Sequence, residues 1–405
     1  MATATHERTG GAAGRGRAVA VPAVGAARLD AVDLLRGAVM VLMALDHVRT
    51  YFGAHVNPED PAAGVGLFLT RWVTHFCAPV FVFLAGTAAF LQLRKHGDRG
   101  ALARYLLVRG LMLVALELTV IRFSWTFNWN YSAFTLAGVI WMLGWCMVLM
   151  SGLIWLPTWA VAVVGLAIVV GQTAFQAAAP ATSSGAMHAV WQFLYLGDMV
   201  RIGASGPSIT VLYTIVPWIG VMALGYAFGA IVLLERDTRR RVVLGLGLAA
   251  TATFLVIGSI AVSADASDNQ MPAFFRLLNQ RKYPASPLFL FMTLGPSLAV
   301  LPWLERARGA IAGVLETFGR VPLFYYLLHI PVIHLTALLV FVLRDGAVNT
   351  QPFATAPYVF LPEPQRWSLP LLYLVFAAVI AMLYVPCRWY AGFKARHPRS
   401  WARYI

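Results

Sequence analysis

The sequence predicts an all-α fold, a polytopic integral membrane helix bundle of about ten transmembrane helices with the N-terminus and the C-terminus both cytoplasmic. Three observations predict it. Hydrophobic residues fill 60% of the 405 positions and charged residues only 12%, whereas soluble domains carry roughly 25% charged residues. The mean hydropathy is +0.71. Apolar runs long enough to cross a bilayer recur along the chain, and the cations between them alternate from many to few.

The runs lie at about 34–52, 66–93, 101–121, 134–156, 158–178, 209–234, 242–262, 286–303, 318–343 and 370–391. With the N-terminal tail placed inside, the inner loops and tails carry twenty Lys and Arg. The outer set is seven: Arg122, Arg201, Arg276, Arg281, Lys282, Arg344 and Arg366. That bias follows the positive-inside rule. The same rule absorbs the net charge of +14, since no basic stripe with interleaved aromatics suggests nucleic acid. Residues 1–27 read as a disordered basic tail without a cleavable signal, 28–393 as the membrane domain, and 394–405 as a basic cytoplasmic tail. Cys77, Cys146 and Cys387 show neither metal-ligand spacing nor a disulfide pattern.

The first run belongs to the stretch around which the chain is organised, RLDAVDLLRGAVMVLMALDHVRTYFG from Arg28 to Gly53. Ionisable residues at membrane depth are costly and mark cavities or pathways. Arg36 and His47 are eleven residues apart, which places them on one helix face roughly 16 Å apart along the axis. One helix thus offers a cation near the inner surface and an imidazole near the outer. His47 could act as a general base toward an acceptor hydroxyl or amine, or could simply bond the end of the helix. Asp46, about 100° round the helix, is placed to pair with Arg49 or Thr50 one turn on.

In the second run Arg71 and His75 lie near the outer end, and His75 either orients His47 or makes a plain interhelical bond. Pro79 and Gly86 allow a kink and a close helix approach. His55 falls in the Pro-rich loop after the first helix, where solvation is the alternative to a catalytic role. Arg36 could fork onto the phosphates of a cytoplasmic donor or pair with Asp33. The ninth run, FGRVPLFYYLLHIPVIHLTALLVFVL, carries His329, His334 and Tyr325 around Pro322 and Pro331. Its histidines could face substrate or bond the carbonyls that proline leaves free. No P-loop, dinucleotide fingerprint or Gly-x-Ser-x-Gly elbow is present.

Arg36-Gly37 followed by His47, HFCAPVFVFLAG from His75 to Gly86, PWIGVMALGYAFG from Pro217, RKYPASPLFLFMTLGP from Arg281 and FGRVPLFYYLLHIPVIH from Phe318 resemble the bacterial relatives of the heparan-alpha-glucosaminide N-acetyltransferase catalytic domain. The resemblance runs over nearly the whole chain after residue 28. It implies a transmembrane acyltransferase of the bacterial inner membrane. Acetyl-CoA or another acyl-CoA would be a co-substrate, with no tightly bound cofactor and no metal, and a sugar or glycan on the outer face the acceptor. Membrane lipid is a further expected partner, nucleic acid is not, and a homodimer is left open. The lysosomal enzyme carries an Asn where His47 stands and its active histidine near the position of His55, so the resemblance leaves either as the working residue. On that reading His47, His55, Asp46, His75 and His329 are the catalytic candidates and Arg36 and Tyr325 the donor-binding ones. The reading from another class is a proton-coupled small-molecule transporter or exporter.

Overall fold

The computed structural model describes residues 26–52, 59–132, 135–179, 185–203, 206–265, 270–348 and 367–397. His55 and most of the two expected tails lie outside the described residues. The chain opens with α1 (Ala26–Phe52), α2 (Val65–Thr74), α3 (Cys77–His96) and α4 (Arg99–Leu116). A π-helical turn, Glu117–Ile121, leads into the short α5 (Arg122–Thr126). Then follow β1 (Leu136–Ala137), α6 (Val139–Leu153), α7 (Thr158–Val170), α8 (Gln172–Ala178), α9 (Ala186–Trp191), β2 (Asp198–Arg201) and β3 (Ser208–Val211). The second half is helical: α10 (Trp218–Val232), α11 (Arg236–Ala264), α12 (Ala273–Leu278), α13 (Pro287–Leu304), α14 (Ala310–Arg320), α15 (Pro322–Asp345) and α16 (Leu369–Arg396).

Most of the length of the apolar runs is helical, but the run 134–156 enters α6 through β1 and the run 209–234 enters α10 through β3. Among the described residues, five segments are long and apolar enough to cross a bilayer: Val65–His96, Arg236–Ala264, Pro287–Leu304, Pro322–Arg344 and Leu369–Arg396. The pair α7 and α8, bent by 60°, makes a sixth if it is one span. The expected straight helix over 158–178 is therefore broken, at Gly171. The run 318–343 is also divided: α14 ends at Arg320, and α15 starts anew with Pro322 in its first turn, where the missing N–H costs nothing. A small sheet in the order β1-β3-β2 was not legible as strands, because its members are two to four residues long.

Two hydrophobic cores meet at a seam. One is built largely on α3, α4, α6, α10 and α13, the other on the C-terminal half of α1 with α15 and α16, and Phe81 packs against both. Close crossings set the helix spacing. A Cβ on Gly86 would lie 2.0 Å from the Met222 carbonyl oxygen, and one on Gly225 would lie 1.9 Å from that of Phe83, so α3 and α10 touch backbone to backbone. Gly37 and Gly319 do the same for α1 and α14, each 1.8 Å from the partner carbonyl, Leu315 and Asp33 respectively. That second crossing fixes the N-terminal half of α1, which bears Arg36.

Candidate active site

His47 is held by α15. His329, fully buried, directs Nδ1 at the Tyr326 carbonyl oxygen 2.6 Å away. A carbonyl only accepts, so Nδ1 carries the proton and Nε2 of the neutral ring is an acceptor. His47 Nδ1 lies 2.6 Å from that acceptor and must donate to it. With both rings neutral, the remaining lone pair is on His47 Nε2, which makes no hydrogen bond among the described residues. The two rings stack at 4.8 Å, and Trp125 meets His47 edge-on at 5.0 Å. Trp125 is itself fixed, since Tyr51 stacks on it and donates to its carbonyl oxygen at 2.9 Å.

His75 does not orient His47. Its ring is buried against Phe289, and neither nitrogen has a hydrogen-bond partner among the described residues. The carbonyl freed by Pro331 is not the target of the neighbouring histidines either: His329 takes Tyr326, and His334 donates to Ser124 of α5 at 3.0 Å while stacking on Phe127. Asp46 is an ionic hub. It accepts from Arg49 at 3.0 Å, from Arg71 at 3.1 Å and from the Thr74 hydroxyl at 3.1 Å, while the Thr50 hydroxyl goes to its backbone oxygen. It thereby ties α1 to α2. Tyr325 stacks on His329 at 5.5 Å, and its buried hydroxyl has no hydrogen-bond partner among the described residues.

His47 lines a small cavity of about 40 Å³ with Asp46, Thr74, Cys77, Tyr213, Lys282 and Tyr326. Sequence reasoning placed Lys282 among the outer loop cations, yet it is only 6% exposed and lies over the rings of Tyr213 and Tyr283 at 5.8 and 5.3 Å. Two local features put it there. Ser286 caps α13 by accepting from Phe289 N–H and donates its own N–H to the Arg281 carbonyl oxygen, closing the turn that carries Lys282. Tyr213 is pinned beyond β3, its N–H donating to the Ala137 carbonyl oxygen.

A second cavity, of about 260 Å³, lies toward the Arg36 end of α1. Four cations from four helices line it, Arg36, Arg109, Arg320 and Lys394, with Gln92 and Tyr105 and no carboxylate. Arg36 donates to both Asp33 at 2.9 Å and the Gly319 carbonyl oxygen at 3.0 Å, so the Asp33 pair and the cavity position coexist. Arg320 bonds Glu316 at 2.6 Å. Arg36 is paired with Asp33 and Arg320 with Glu316 and Asp30, and four cations converging on one cavity suit a polyanion such as a phosphate-bearing group. From sequence, Arg320 and Lys394 were read only as topological charges and Arg109 only as a residue within a span. A further cavity, about 600 Å³ among α3, α7, α10, α11 and α13, is lined by apolar side chains apart from Thr158.

The sequence profile described as heparan-alpha-glucosaminide N-acetyltransferase, catalytic, matches residues 28–259. The chain belongs to that family. Family membership makes it a multi-pass membrane protein of the acyltransferase type. The match covers α1 through most of α11, and with them Arg36, Asp46, His47, His75 and Phe81; Lys282, Tyr325 and His329 lie beyond it. No curated protein matches the chain.

Proposed function

We propose that the chain moves an acetyl or other short acyl group from cytoplasmic acyl-CoA to a hydroxyl or amine of a sugar or glycan on the outer face. The protein would sit in a bacterial inner membrane with ten crossings and both termini inside. What carries the reading is the relay from Tyr326 through His329 to His47, which leaves the unprotonated nitrogen beside a cavity on the helix that also bears Arg36. The cation-lined cavity supports donor binding, its arginines and lysine matching the phosphates of a coenzyme A nucleotide.

The chemistry follows from these positions. His47 Nε2 accepts the acceptor's proton as its oxygen or nitrogen bonds to the thioester carbonyl carbon. Lys282 is the nearest cation in the cavity wall to stabilise the resulting oxyanion. As the carbon–sulfur bond breaks, the leaving thiolate takes the proton from His47. His329 keeps the base in the required tautomer and shares the charge that develops on it. Asp46 acts through structure, holding Arg71 and Thr74.

Binding of acetyl-CoA to purified protein in detergent, by calorimetry, tests the assignment. Saturable binding that is lost in Arg36→Glu and kept in His47→Ala supports separate donor and base positions. Failure of folded wild-type protein to bind any short acyl-CoA would favour the transporter reading.

A further inference from the structure

Phe81 lines both the cation-lined cavity and the His47 cavity. The helices around it are in register. On α1 the wall passes from Arg36 through Val39, Met40 and Met43 to His47; on α6 from Met147 and Leu143 to Val139; on α15 from Pro322 to Tyr326. On α3 it reads Gln92, Ala89, Ala88, Ala85, Phe81, Ala78 and Cys77. Those positions share one helix face, and between Gln92 at one end and Cys77 at the other every one of them but Phe81 is alanine. The same ring is half-buried and packs against both hydrophobic cores, at the seam where they meet. A bulky aromatic amid small residues on the wall of an otherwise continuous route is an obstruction rather than a lining.

From this we infer that Phe81 is the partition between the donor cavity and the base cavity, a specificity-determining side chain that closes the route until an acyl-bearing arm displaces it. The inference rests on the acyl-transfer reading for the identity of that arm, but the partition itself is a property of the two cavities. Closed, the ring keeps water arriving from the Arg36 face away from His47. Shortened, it joins the cavities. Water then replaces the acceptor: its proton goes to His47 Nε2, its oxygen bonds to the thioester carbon, and the thiolate leaves with that proton. The products are a carboxylic acid and free coenzyme A. A wider passage also admits longer acyl chains.

Cys77 provides a readout independent of activity, because it is half-buried and lines the His47 cavity, while Cys146 and Cys387 are fully buried. The experiment measures labelling of Cys77 by 2-sulfonatoethyl methanethiosulfonate, a membrane-impermeant anion, added to sealed inverted membrane vesicles so that it arrives from the Arg36 face. Phe81→Ala should react at least about tenfold faster than wild type, Phe81→Leu at an intermediate rate and Phe81→Trp no faster than wild type; Cys77→Ser should abolish the signal. Acetyl-CoA hydrolysis without acceptor should rise in the same order. Equal labelling rates across the folded variants would overturn the partition. If Phe81→Ala fails to fold, the order of Leu, Phe and Trp decides in the same way. Ordered labelling with no acyl transfer by wild type would keep the partition and remove the acyl-transfer reading.

Discussion

His47 Nδ1 lies 2.6 Å from His329 Nε2, and the Tyr326 carbonyl fixes the direction of that hydrogen bond. Removing the inner member therefore alters the tautomer of the outer one without touching it. His329→Ala should lower kcat for acyl transfer by roughly 10²-fold, within the range for loss of acid–base assistance, with little change in the KM for acyl-CoA. Steady-state kinetics on the two variants check it, His47→Ala being the more severe. A His329→Ala variant that changed only the KM would place His329 in donor binding instead.

The four-cation cavity predicts a distinct phenotype. Arg109→Glu or Lys394→Glu should raise the KM for acyl-CoA by roughly ten- to a hundredfold, the scale of a charge-assisted contact, while kcat changes little. Raising ionic strength should weaken wild-type donor binding in the same direction. Titration of acyl-CoA at low and high salt is the measurement.

Asp46 stands as a structural hub. Asp46→Asn leaves Arg71, a cation with only 9% of its side chain exposed, with only the longer contact to the Glu59 carboxylate at 3.5 Å. The expected cost is about 2–4 kcal/mol, toward the lower side for a broken buried pair because Asp46 keeps 18% of its side chain exposed. Thermal unfolding in detergent should show it. Folded Asp46→Asn protein should retain most of its specific activity; loss of activity at unchanged stability would return Asp46 to the catalytic group.

Gly37 and Gly319 meet the facing backbone so closely that a Cβ at either would lie 1.8 Å from a carbonyl oxygen. Gly37→Ala or Gly319→Ala should push α14 from α1, cost about 1–3 kcal/mol as overpacking does, and disturb the bond from Arg36 to the Gly319 carbonyl. A fall in the unfolding midpoint together with weaker acyl-CoA binding would confirm both effects.

The helices were legible because apolar runs and the placement of arginines report the membrane directly, and Gly86 announced the close crossing that Gly225 completes from the other side. The pairing of His47 with His329 was not legible, since 282 residues separate them and no local pattern links the two helices. His75 misled for the opposite reason: its place near the outer end of the second run matched His47, but its ring faces Phe289. Lys282 hid among loop charges because burial by a capped turn and two tyrosine rings leaves no mark in hydropathy. Arg109, Arg320 and Lys394 converge with Arg36 only once four helices are packed, whereas Arg320 and Lys394 each alone satisfy the rule for inner cations and Arg109 falls within an apolar run.

The central claim is that His47 is the base of an acyl transfer. The most direct measurement is transfer of radiolabelled acetyl from acetyl-CoA to an amino sugar by purified protein in proteoliposomes, comparing wild type, His47→Ala and His55→Ala. The account predicts transfer by wild type and by His55→Ala, and a rate at least about 10²-fold lower for His47→Ala with acetyl-CoA binding retained. Transfer by His47→Ala at the wild-type rate would contradict it.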